Sequence, residues 1–323
     1  MKCSRKRVLQ FAILPPPIGG VSIHVSRLVE GARNIGINTD VFDYSKNKNF
    51  FELIKMIICA GVIHIHLSNK YFRFLIVLLL KVLKKNVVVT FHGRYFFDNI
   101  FDKMSLRLST IPIVLNNISY YYAIAINNNV RLIGAFIPMI NKDNNTLSEE
   151  TLKKILFLKK KYEYIFSTNA FRVVIDDKGK EIYGGSLLFE IFMKTSNIAL
   201  VFSDPTSSYK KFFINKYGSI PSNILLVTYP HQYTDVINNV DCSIRATLTD
   251  GDSLSVKESL YLNKDVICSN VVDRPKGAII YSSKEHLSEI LINFNQYKGK
   301  YLEYEYEDNI AKILYIYKSF LRE

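Results

Sequence analysis

Short apolar runs rich in β-forming residues alternate with helical patterns along most of this chain, and this alternation constrains the fold more than any other feature. The first helical pattern follows an apolar run at residues 8–14. Its apolar residues recur on one face of a helix, at Val21, Val25, Leu28, Val29 and Ala32. Gly36 then stands where a glycine that ends a helix belongs. Strand–helix–strand repetition predicts an α/β fold with parallel sheets covered by helices.

The alternation occurs in two blocks. The first block predicts strands at residues 8–14, 37–42, 62–67, 87–91, 111–115 and 131–136. A polar stretch at 141–150 interrupts the pattern and predicts a linker. The second block predicts strands at residues 164–168, 198–203, 223–227, 242–245 and 266–269.

A chain of 323 residues has room for two domains of roughly 150 residues each. We therefore expect two Rossmann-like domains that face a cleft. The first covers residues 1–145 and the second covers 146–323. The last helix, at about 302–323, has two open placements, in the second domain or packed back on the first.

Charge is unevenly distributed along the chain. Lys and Arg number 42 against 29 Asp and Glu, a net charge of +13, and residues 1–150 alone carry +10. A basic half predicts an acidic partner such as nucleic acid, anionic lipid or a phosphorylated substrate. No apolar run reaches the roughly 18 residues of a membrane span.

The cysteines are Cys3, Cys59, Cys242 and Cys268. They form no CxxC pair and have no histidine at metal-ligand spacing. We therefore expect neither a disulfide framework nor a zinc site, and a reducing cytoplasm is the expected compartment.

The segment 245–258 carries the most chemical information. It predicts a strand end, a loop containing Asp250 and Gly251, and a helix containing Glu258. Glycine lets a ligand approach the backbone, and the free N–H groups of a helix start suit a diphosphate. Two plainer interpretations stay open. Ser255 and Glu258 fit a capping box, and Asp250 with Asp252 fits a turn better than a metal pair.

Thr249-Asp-Gly-Asp-Ser-Leu-Ser-Val-Lys-Glu258 resembles the signature of family 4-type retaining glycosyltransferases with the GT-B fold, in particular the bacterial branch that builds capsules and O-antigens. That signature is an acid, seven residues, then Glu. Asp250 stands where the family usually has Glu, one methylene longer.

Other segments resemble this branch in the expected order along the chain. They are Pro17-Ile-Gly19-Gly20, the strand end with His92-Gly93, Ala135-Phe-Ile-Pro138, Asn169-Ala170-Phe171, Arg245-x-Thr247 and Arg274-Pro275-x-Gly277. One departure is Tyr183-Gly184-Gly185, where the family has Lys-Gly. Arg172 and Arg245 both remain candidates to supply the missing charge.

The resemblance implies transfer of a sugar from a nucleotide-diphosphate donor, a UDP-sugar above all, without metal or cofactor. The acceptor would be a lipid-linked oligosaccharide of a bacterial surface polysaccharide, and the enzyme would lie peripherally on the inner face of the cell membrane. His92 and Asp250 are implied to be catalytic, and we expect His66 on the acceptor side. The expected donor-binding residues are Gly19, Gly20, Asn169, Arg172, Arg245, Thr247, Gly251, Ser253, Leu254, Ser255 and Glu258.

The remaining histidines give weaker signals. His64 and His66 share one face of a strand and could begin a zinc site, but no further ligand follows at the right spacing, so we reject a metal there. His24 and His231 are expected to be structural or on the surface.

Residues 70–85 predict an amphipathic helix whose basic stripe binds an anionic membrane surface. The stripe consists of Lys70, Arg73, Lys81, Lys84 and Lys85.

Two rival functions remain. A non-catalytic binder of nucleic acid or an anionic polymer would explain the charge, but no nucleic-acid-binding motif is present and no nucleic-acid partner is expected. A nucleotide-sugar epimerase or a dehydrogenase would explain Gly19-Gly20, but the GxGxxG pattern is absent.

Overall fold

The computed structural model describes residues 6–16, 18–139, 145–299 and 304–321 and divides the chain into two compact units. The first unit contains Met1–Ile140 and Glu307–Glu323, and the second contains Asn141–Tyr306. Each unit holds a parallel six-stranded sheet with helices, which confirms the predicted class of two Rossmann-like domains. Cys3, Pro17, residues 141–144 of the predicted linker and residues 302–303 of the predicted last helix lie outside the described residues.

The strands of the first sheet are β1 Val8–Ala12, β2 Thr39–Asp43, β3 Val62–Ile65, β4 Asn86–Phe91, β5 Ile111–Val114 and β6 Arg131–Leu132. Those of the second sheet are β7 Tyr164–Asn169, β8 Ile198–Ser203, β9 Ile224–Val227, β10 Cys242–Arg245, β11 Asp265–Ser269 and β12 Ile279–Tyr281. β1, β3, β8 and β11 are buried along their whole length, as expected for parallel strands with both faces covered.

The helices are α1 Gly20–Asn34, α2 Phe50–Cys59, α3 Lys70–Val82, α4 Ile100–Leu108, α5 Asn117–Ile124, α6 Glu149–Lys161, α7 Gly185–Phe192, α8 Ser208–Tyr217, α9 Tyr233–Asn238, α10 Leu254–Tyr261, α11 Lys284–Ile292 and α12 Asn309–Leu321. The apolar face predicted for α1 is buried at Val25, Leu28, Val29 and Ala32. Gly36 has the positive φ of +81° predicted for the end of that helix.

Strand order locates a topological switch point in each sheet. The first sheet runs β2-β1-β3-β4-β5-β6, so the chain leaves β1 towards one edge and returns on the other side of β1 with β3. The second sheet runs β12-β11-β10-β7-β8-β9, so its switch point lies between β7 and β10. Ligands of open α/β sheets bind outside the carboxyl ends of the strands at such points. Ligand-binding residues are therefore expected in the loops after β1, β3, β7 and β10.

Several expectations need correction. The strand predicted at 131–136 is only Arg131–Leu132, and the last helix begins at Asn309 instead of at about 302. β12 was not predicted. No helix in the described part of the chain is long and apolar enough to cross a membrane.

The cysteines also differ from expectation. Cys59 is disulfide-bonded, whereas Cys242 and Cys268 are buried free thiols.

Candidate active site

In the second unit, the loop after β10 places Asp250 between two arginines. Arg245, the last residue of β10, donates from Nε and Nη2 to the Asp250 carboxylate at 3.2 and 3.3 Å. Arg274 donates from Nη1 to Asp250 Oδ2 at 3.0 Å. All three side chains are largely buried, with exposed fractions of 15% for Arg245, 8% for Asp250 and 3% for Arg274.

This arrangement keeps Asp250 charged. Burial alone would raise the pKa of Asp250, but the charges and hydrogen bonds of Arg245 and Arg274 outweigh it and lower that pKa below its usual value. Both carboxylate oxygens are engaged by guanidinium groups. Asp250 therefore holds the two arginine side chains in place. A contact between Asp250 and a sugar would be a second role, besides this structural one.

Glu258 does not close its helix, contrary to the capping-box interpretation. Ser253 is the N-cap of α10 and makes no capping bond with its side chain. Leu254 is the first helical residue, Ser255 the second, and Glu258 only the fifth. A capping box needs the acid at the third position, where Val256 stands. Glu258 is buried, at 7% exposure, within the first turns of α10.

The hydroxyl residues before α10 pack closely. Ser253 and Ser255 are buried, with their Oγ atoms 3.2 Å apart. Thr247 Oγ1 lies 3.1 Å from the Ile182 carbonyl and 2.7 Å from the Thr249 carbonyl. Thr247, predicted to bind the donor, therefore joins two loops through backbone contacts. Gly251 lies in the loop between these residues.

Two glycines let the start of α7 pack closely, Gly184 against the loop after β10 and Gly185 against α8. Gly184 has a φ of +73°, and a Cβ there would lie 2.1 Å from the Ala246 carbonyl oxygen. A Cβ on Gly185 would lie 2.3 Å from the Tyr209 ring. Glu181 accepts from the N–H groups of Tyr183 and Ser186 at 2.7 and 3.1 Å. At the position where the resembled family has Lys-Gly, this chain has a helix start already held by a carboxylate.

The loop after β7 offers two polar groups. Asn169 ends β7, and its Oδ1 is buried with no hydrogen-bond partner among the described residues. Arg172 is exposed, and no described carboxylate pairs with it. The loop is anchored on either side of Arg172, because Thr206 Oγ1 donates to the Phe171 carbonyl and Val173 N–H donates to Ser208 Oγ. Of the two candidate arginines, Arg172 carries the free charge and Arg245 is committed to Asp250.

In the first unit, histidines gather at the switch point between β1 and β3. His92 Nε2 lies 2.9 Å from His66 Nδ1, and His66 Nε2 lies 3.0 Å from Gln10 Oε1. Burial lowers the pKa of His64, His66 and His92 well below 6.5, and neighbouring imidazoles lower it further. Arg73 adds to this effect at His92. These histidines are therefore neutral near pH 7.

Both predicted histidines lie in this group, at different depths. His92 is half-buried, whereas His66 is 1% exposed with both ring nitrogens in hydrogen bonds. His66, predicted on the acceptor side, therefore reaches a ligand only through His92. His231, in the second unit, is buried and bonded to Ser203 Oγ and the Tyr229 carbonyl, as expected of a structural histidine.

His24, expected to be structural or on the surface, is buried beside this group. Its Nδ1 donates to the Ala135 carbonyl at 2.7 Å. One ring nitrogen each of His24, His66 and His92 lies within 4.8 Å of the others, a spacing that could hold a metal ion. Sequence spacing indicated no further metal ligand near His66. The fold brings two candidate ligands, His24 and His92, to it from distant positions in the chain. The hydrogen bond between His66 Nδ1 and His92 Nε2 places a proton between these two rings.

Gly19 and Gly20 begin α1 beside β1. Gly19 is the N-cap, its N–H donates to Ser22 Oγ at 3.0 Å, and a Cβ there would meet no atom within 4 Å. Gly20 is exposed. A ligand could therefore approach the backbone at this helix start.

The amphipathic segment differs from expectation in its charges. Arg73 is fully buried, pairs with Asp102 and lies over the Phe91 ring, so it is not part of a surface stripe. Lys85 Nζ donates to the Ile58 and Ala60 carbonyls at the end of α2. The predicted basic stripe is thereby reduced to Lys70, Lys81 and Lys84.

The apolar side of α3 is largely exposed, and α2 has a similar face. Leu75 is 59% and Val82 is 71% exposed on α3, and Phe51 is 84% exposed on α2. At the start of α3, a cavity of about 360 Å³ is lined by Asn69, Tyr71, Tyr95, Asp102 and their neighbours. Arg73 Nε, in the same lining, is buried and has no acceptor among the described residues.

No known protein-family description and no curated protein sequence matches this chain. Solved structures do match over nearly the whole chain. HepE of Anabaena in complex with UDP-glucose has 10% identity and a TM-score of 0.62, covering 97% of this chain and 95% of its own. Sucrose-phosphate synthase of Thermosynechococcus elongatus has 12% identity and a TM-score of 0.63, covering 98% and 96%.

A third similar structure is a Listeria monocytogenes protein described as a UDP-N-acetylglucosamine 2-epimerase, with 12% identity and a TM-score of 0.65, covering 98% and 97%. The structural neighbours thus include GT-B glycosyltransferases. The fold is the GT-B architecture of two Rossmann-like domains. At these identities the likeness concerns the fold.

Sequence reasoning missed several residues of both sites. Arg274 was noted in a motif but not assigned to the site, although it pairs with Asp250. Gln10 and Tyr317 were not considered, yet both contact the histidine group. Gln10 interrupts the apolar strand Val-Leu-Gln-Phe-Ala, and that signal could have been used. Tyr317, about 300 residues further along the chain, gives no such signal.

Proposed function

We propose that this chain is a retaining glycosyltransferase that moves a hexose from a nucleotide-diphosphate donor, a UDP-sugar, to an acceptor. The observation that carries the proposal is Glu258, a buried carboxylate with no capping role beside the switch point of the second sheet. A carboxylate there suits the two hydroxyls of a ribose. Structural neighbours of the same fold were solved with UDP and UDP-glucose, which supports a uridine donor.

In this proposal the second unit holds the donor. The N–H groups of residues 253–255 begin α10 and would bind the diphosphate, because a helix N-terminus favours anions. Arg172 would supply the positive charge, since Arg245 is committed to Asp250. Asn169 Oδ1 would accept a hydrogen bond from the donor, which would satisfy a buried oxygen without a partner among the described residues.

The leaving diphosphate would be stabilised by these fixed donors and charges, so we propose transfer without a metal ion or cofactor. His92 of the first unit would contact the donor sugar, and Asp250 would act on it through the two arginines that it holds. Activity that persists after exhaustive chelation is the expected result. Loss of activity on chelation that is restored by a divalent cation would contradict this part.

Donor binding tests the assignment of Glu258. Glu258→Gln should weaken UDP-sugar binding about tenfold or more, because a charge-assisted hydrogen bond is worth roughly 1.5–3 kcal/mol. The melting temperature without ligand should change little. The matched control is Glu163→Gln, a second-unit substitution at an exposed position. Equal donor affinity in wild type and Glu258→Gln would refute the site.

An epimerase is the second candidate, because the Listeria protein described as an epimerase shares this fold as well as the transferases do. The two reactions are separated by incubation with UDP-N-acetylglucosamine and UDP-glucose in the absence of acceptor. An epimerase converts its UDP-sugar into an isomer with no acceptor present. A transferase leaves the sugar unchanged, or slowly releases UDP by hydrolysis.

We further propose that the acceptor is a lipid-linked oligosaccharide of a bacterial surface polysaccharide, bound by the basic first unit at the inner face of the cell membrane. The cavity at the start of α3 supports an acceptor site, since its tyrosines and polar groups suit a sugar.

Membrane binding would rest on apolar insertion more than on charge. The exposed apolar residues of α2 and α3 form an apolar surface patch, and patches of this kind often mark interaction sites. Each lysine near an anionic membrane adds about 1 kcal/mol to the binding free energy. In vesicle sedimentation, Leu75→Ser with Val82→Ser should reduce binding more than Lys81→Glu with Lys84→Glu. Leu156→Ser, at an exposed apolar position on α6, should leave binding unchanged. Equal binding by all variants would exclude α3 as the docking helix.

A further inference from the structure

A continuous chain of hydrogen bonds joins the last helix to His92 inside the first unit. Tyr317 of α12 lies between Gln10 and His64, with Gln10 Nε2 2.8 Å and His64 Nδ1 2.5 Å from its hydroxyl oxygen. His64 Nε2 lies 2.7 Å from Thr90 Oγ1. On its other side, Gln10 Oε1 lies 3.0 Å from His66 Nε2, and His66 Nδ1 lies 2.9 Å from His92 Nε2.

The proton positions in this chain depend on one another. Gln10 donates through Nε2 to Tyr317, so the Tyr317 hydroxyl donates to His64 Nδ1. A neutral His64 then carries its proton on Nε2 and donates to Thr90. Gln10 Oε1 can only accept, so His66 carries its proton on Nε2. His66 Nδ1 is then an acceptor, and His92 must donate to it from Nε2.

We propose that Tyr317 and Gln10 are positioning residues that hold His92 in its Nε2–H tautomer, so that His92 meets a ligand only as an acceptor at Nδ1. This inference rests on the proposed role of His92 in sugar transfer. Nδ1 of His92 makes no hydrogen bond among the described residues. A sugar hydroxyl would donate to this nitrogen, and a ligand acceptor such as a carbonyl would meet a lone pair and be disfavoured.

Gln10 gives the chain its direction because its amide has one donor end and one acceptor end. Rotating that amide by a half turn would reverse every hydrogen bond from Thr90 to His92 and would put the His92 proton on Nδ1. Tyr317 is 0% exposed and Gln10 is 0% exposed, so water does not compete for these groups. Burial also keeps the three histidines neutral by lowering their pKa, as the chain requires.

The tautomers can be measured directly on the full chain. With 15N-labelled histidine, long-range 1H–15N spectra separate protonated from non-protonated ring nitrogens. In wild type we expect His64, His66 and His92 each to show a protonated Nε2 and a non-protonated Nδ1. A His92 that carries its proton on Nδ1, or that exchanges between both forms, would overturn the inference.

Two buried variants and one control test the direction of the chain. Tyr317→Phe removes the hydroxyl but keeps the ring, so His64 and then His66 and His92 should become mixtures of tautomers. Gln10→Met conserves volume and should disturb His66 and His92 while His64 keeps its bond from Tyr317. Tyr315→Phe, on the same helix with 71% exposure, should leave all three unchanged. Unchanged His66 and His92 spectra in both buried variants would also overturn the inference.

Turnover separates this inference from the proposed function. Losing the group that fixes a catalytic histidine's tautomer can cost up to about 10⁴ in turnover. Tyr317 acts through Gln10 and His66, so we expect a smaller loss, about tenfold in kcat with little change in the donor KM. If the tautomers change as predicted and kcat does not, the hydrogen-bond chain stands and the role of His92 in transfer fails.

Discussion

The two candidate sites occupy equivalent places in two similar sheets, yet they are built from opposite chemistry. The first-unit site is a group of neutral imidazoles joined by hydrogen bonds, and the second-unit site is a buried carboxylate between two guanidinium groups. Both arrangements offset the free-energy cost of burying polar atoms. Neutral groups need only complementary donors and acceptors, whereas a charge also needs a counter-charge. The sites should therefore respond differently to loss of one member and to pH.

The largest expected effect is the loss of the charge at Asp250. Asp250→Asn leaves Arg245 and Arg274 buried without their counter-charge, which typically costs about 3–5 kcal/mol. Hydrogen exchange of β10 and β11 should show the loss in the second unit, with β1 and β3 unchanged. Glu150→Gln, which breaks an exposed pair with Lys154, should have no measurable effect. If the Asp250→Asn variant is as stable as wild type, the second-unit site does not depend on a counter-charge, and the proposed difference between the two sites is wrong. Turnover of this variant can be interpreted only alongside its stability.

The next effect is a dependence of stability on pH that is larger in the first unit, because three buried histidines with lowered pKa values lie there. Their folded pKa values lie well below 6.5, so the unfolded chain binds more protons as pH falls. Their contribution to stability is complete above about pH 6.5 and is lost below it, by about 1.4 kcal/mol for each unit of lowered pKa. Asp250 stays charged throughout this window, because its pKa is lowered from 3.8.

Hydrogen exchange of β3 and β4 between pH 7.5 and 5.5 measures this dependence. Protection of these strands should fall more than that of β10 and β11. Burial also lowers the pKa of His231, so the second unit should lose some protection at low pH as well. The expected result is therefore a larger loss of protection in the first unit than in the second. His64→Gln should weaken the dependence in the first unit. An equal loss of protection in both units would contradict the prediction.

The smallest effect concerns the helix start next to Glu258. Ser253 makes no capping bond, so Ser253→Ala should cost only a few tenths of a kcal/mol in the ligand-free chain, below the usual 0.5–2 kcal/mol or so of a lost N-cap. Ser148 caps α6 by accepting from the Thr151 N–H at 3.2 Å, and Ser148→Ala should cost about 1 kcal/mol. Urea unfolding compares the two. Equal costs would mean that Ser253 caps α10 after all.

Local pattern predicted the secondary structure of both sheets well. Eleven strands were predicted and all exist, because buried parallel strands are short continuous runs of Val, Ile, Leu and Phe that stand out from helical periodicity. β12, with only Ile279–Tyr281, is too short to give such a signal. The strand at 131–136 was overextended because the pairing with β5 ends with the Ile133 N–H, which donates to the Val114 carbonyl, whereas the apolar character continues to Ala135 and Phe136.

Local pattern was wrong at Arg73 and Ser255. A helical wheel assigns Arg73 to the basic stripe, but Asp102, 29 residues later, provides a buried partner for it. The capping-box interpretation assumed that α10 begins after Ser255. The helix begins at Leu254, which puts Glu258 two positions too far along. In both cases a contact or a boundary set by packing decided the role of the residue.

The sequence by itself determined the fold class, the two-domain organisation into β–α blocks, and the segments after the strands as the places for chemistry. It did so because strand and helix periodicities are local and because parallel strands all point their carboxyl ends to one edge of the sheet. Tertiary structure alone decided that His24, His66 and His92 meet, that Asp250 lies between two arginines, and that Tyr317 contacts both Gln10 and His64. These contacts join residues up to 307 positions apart. Buried hydrogen bonds and ion pairs depend on atomic distances, which sequence spacing does not record.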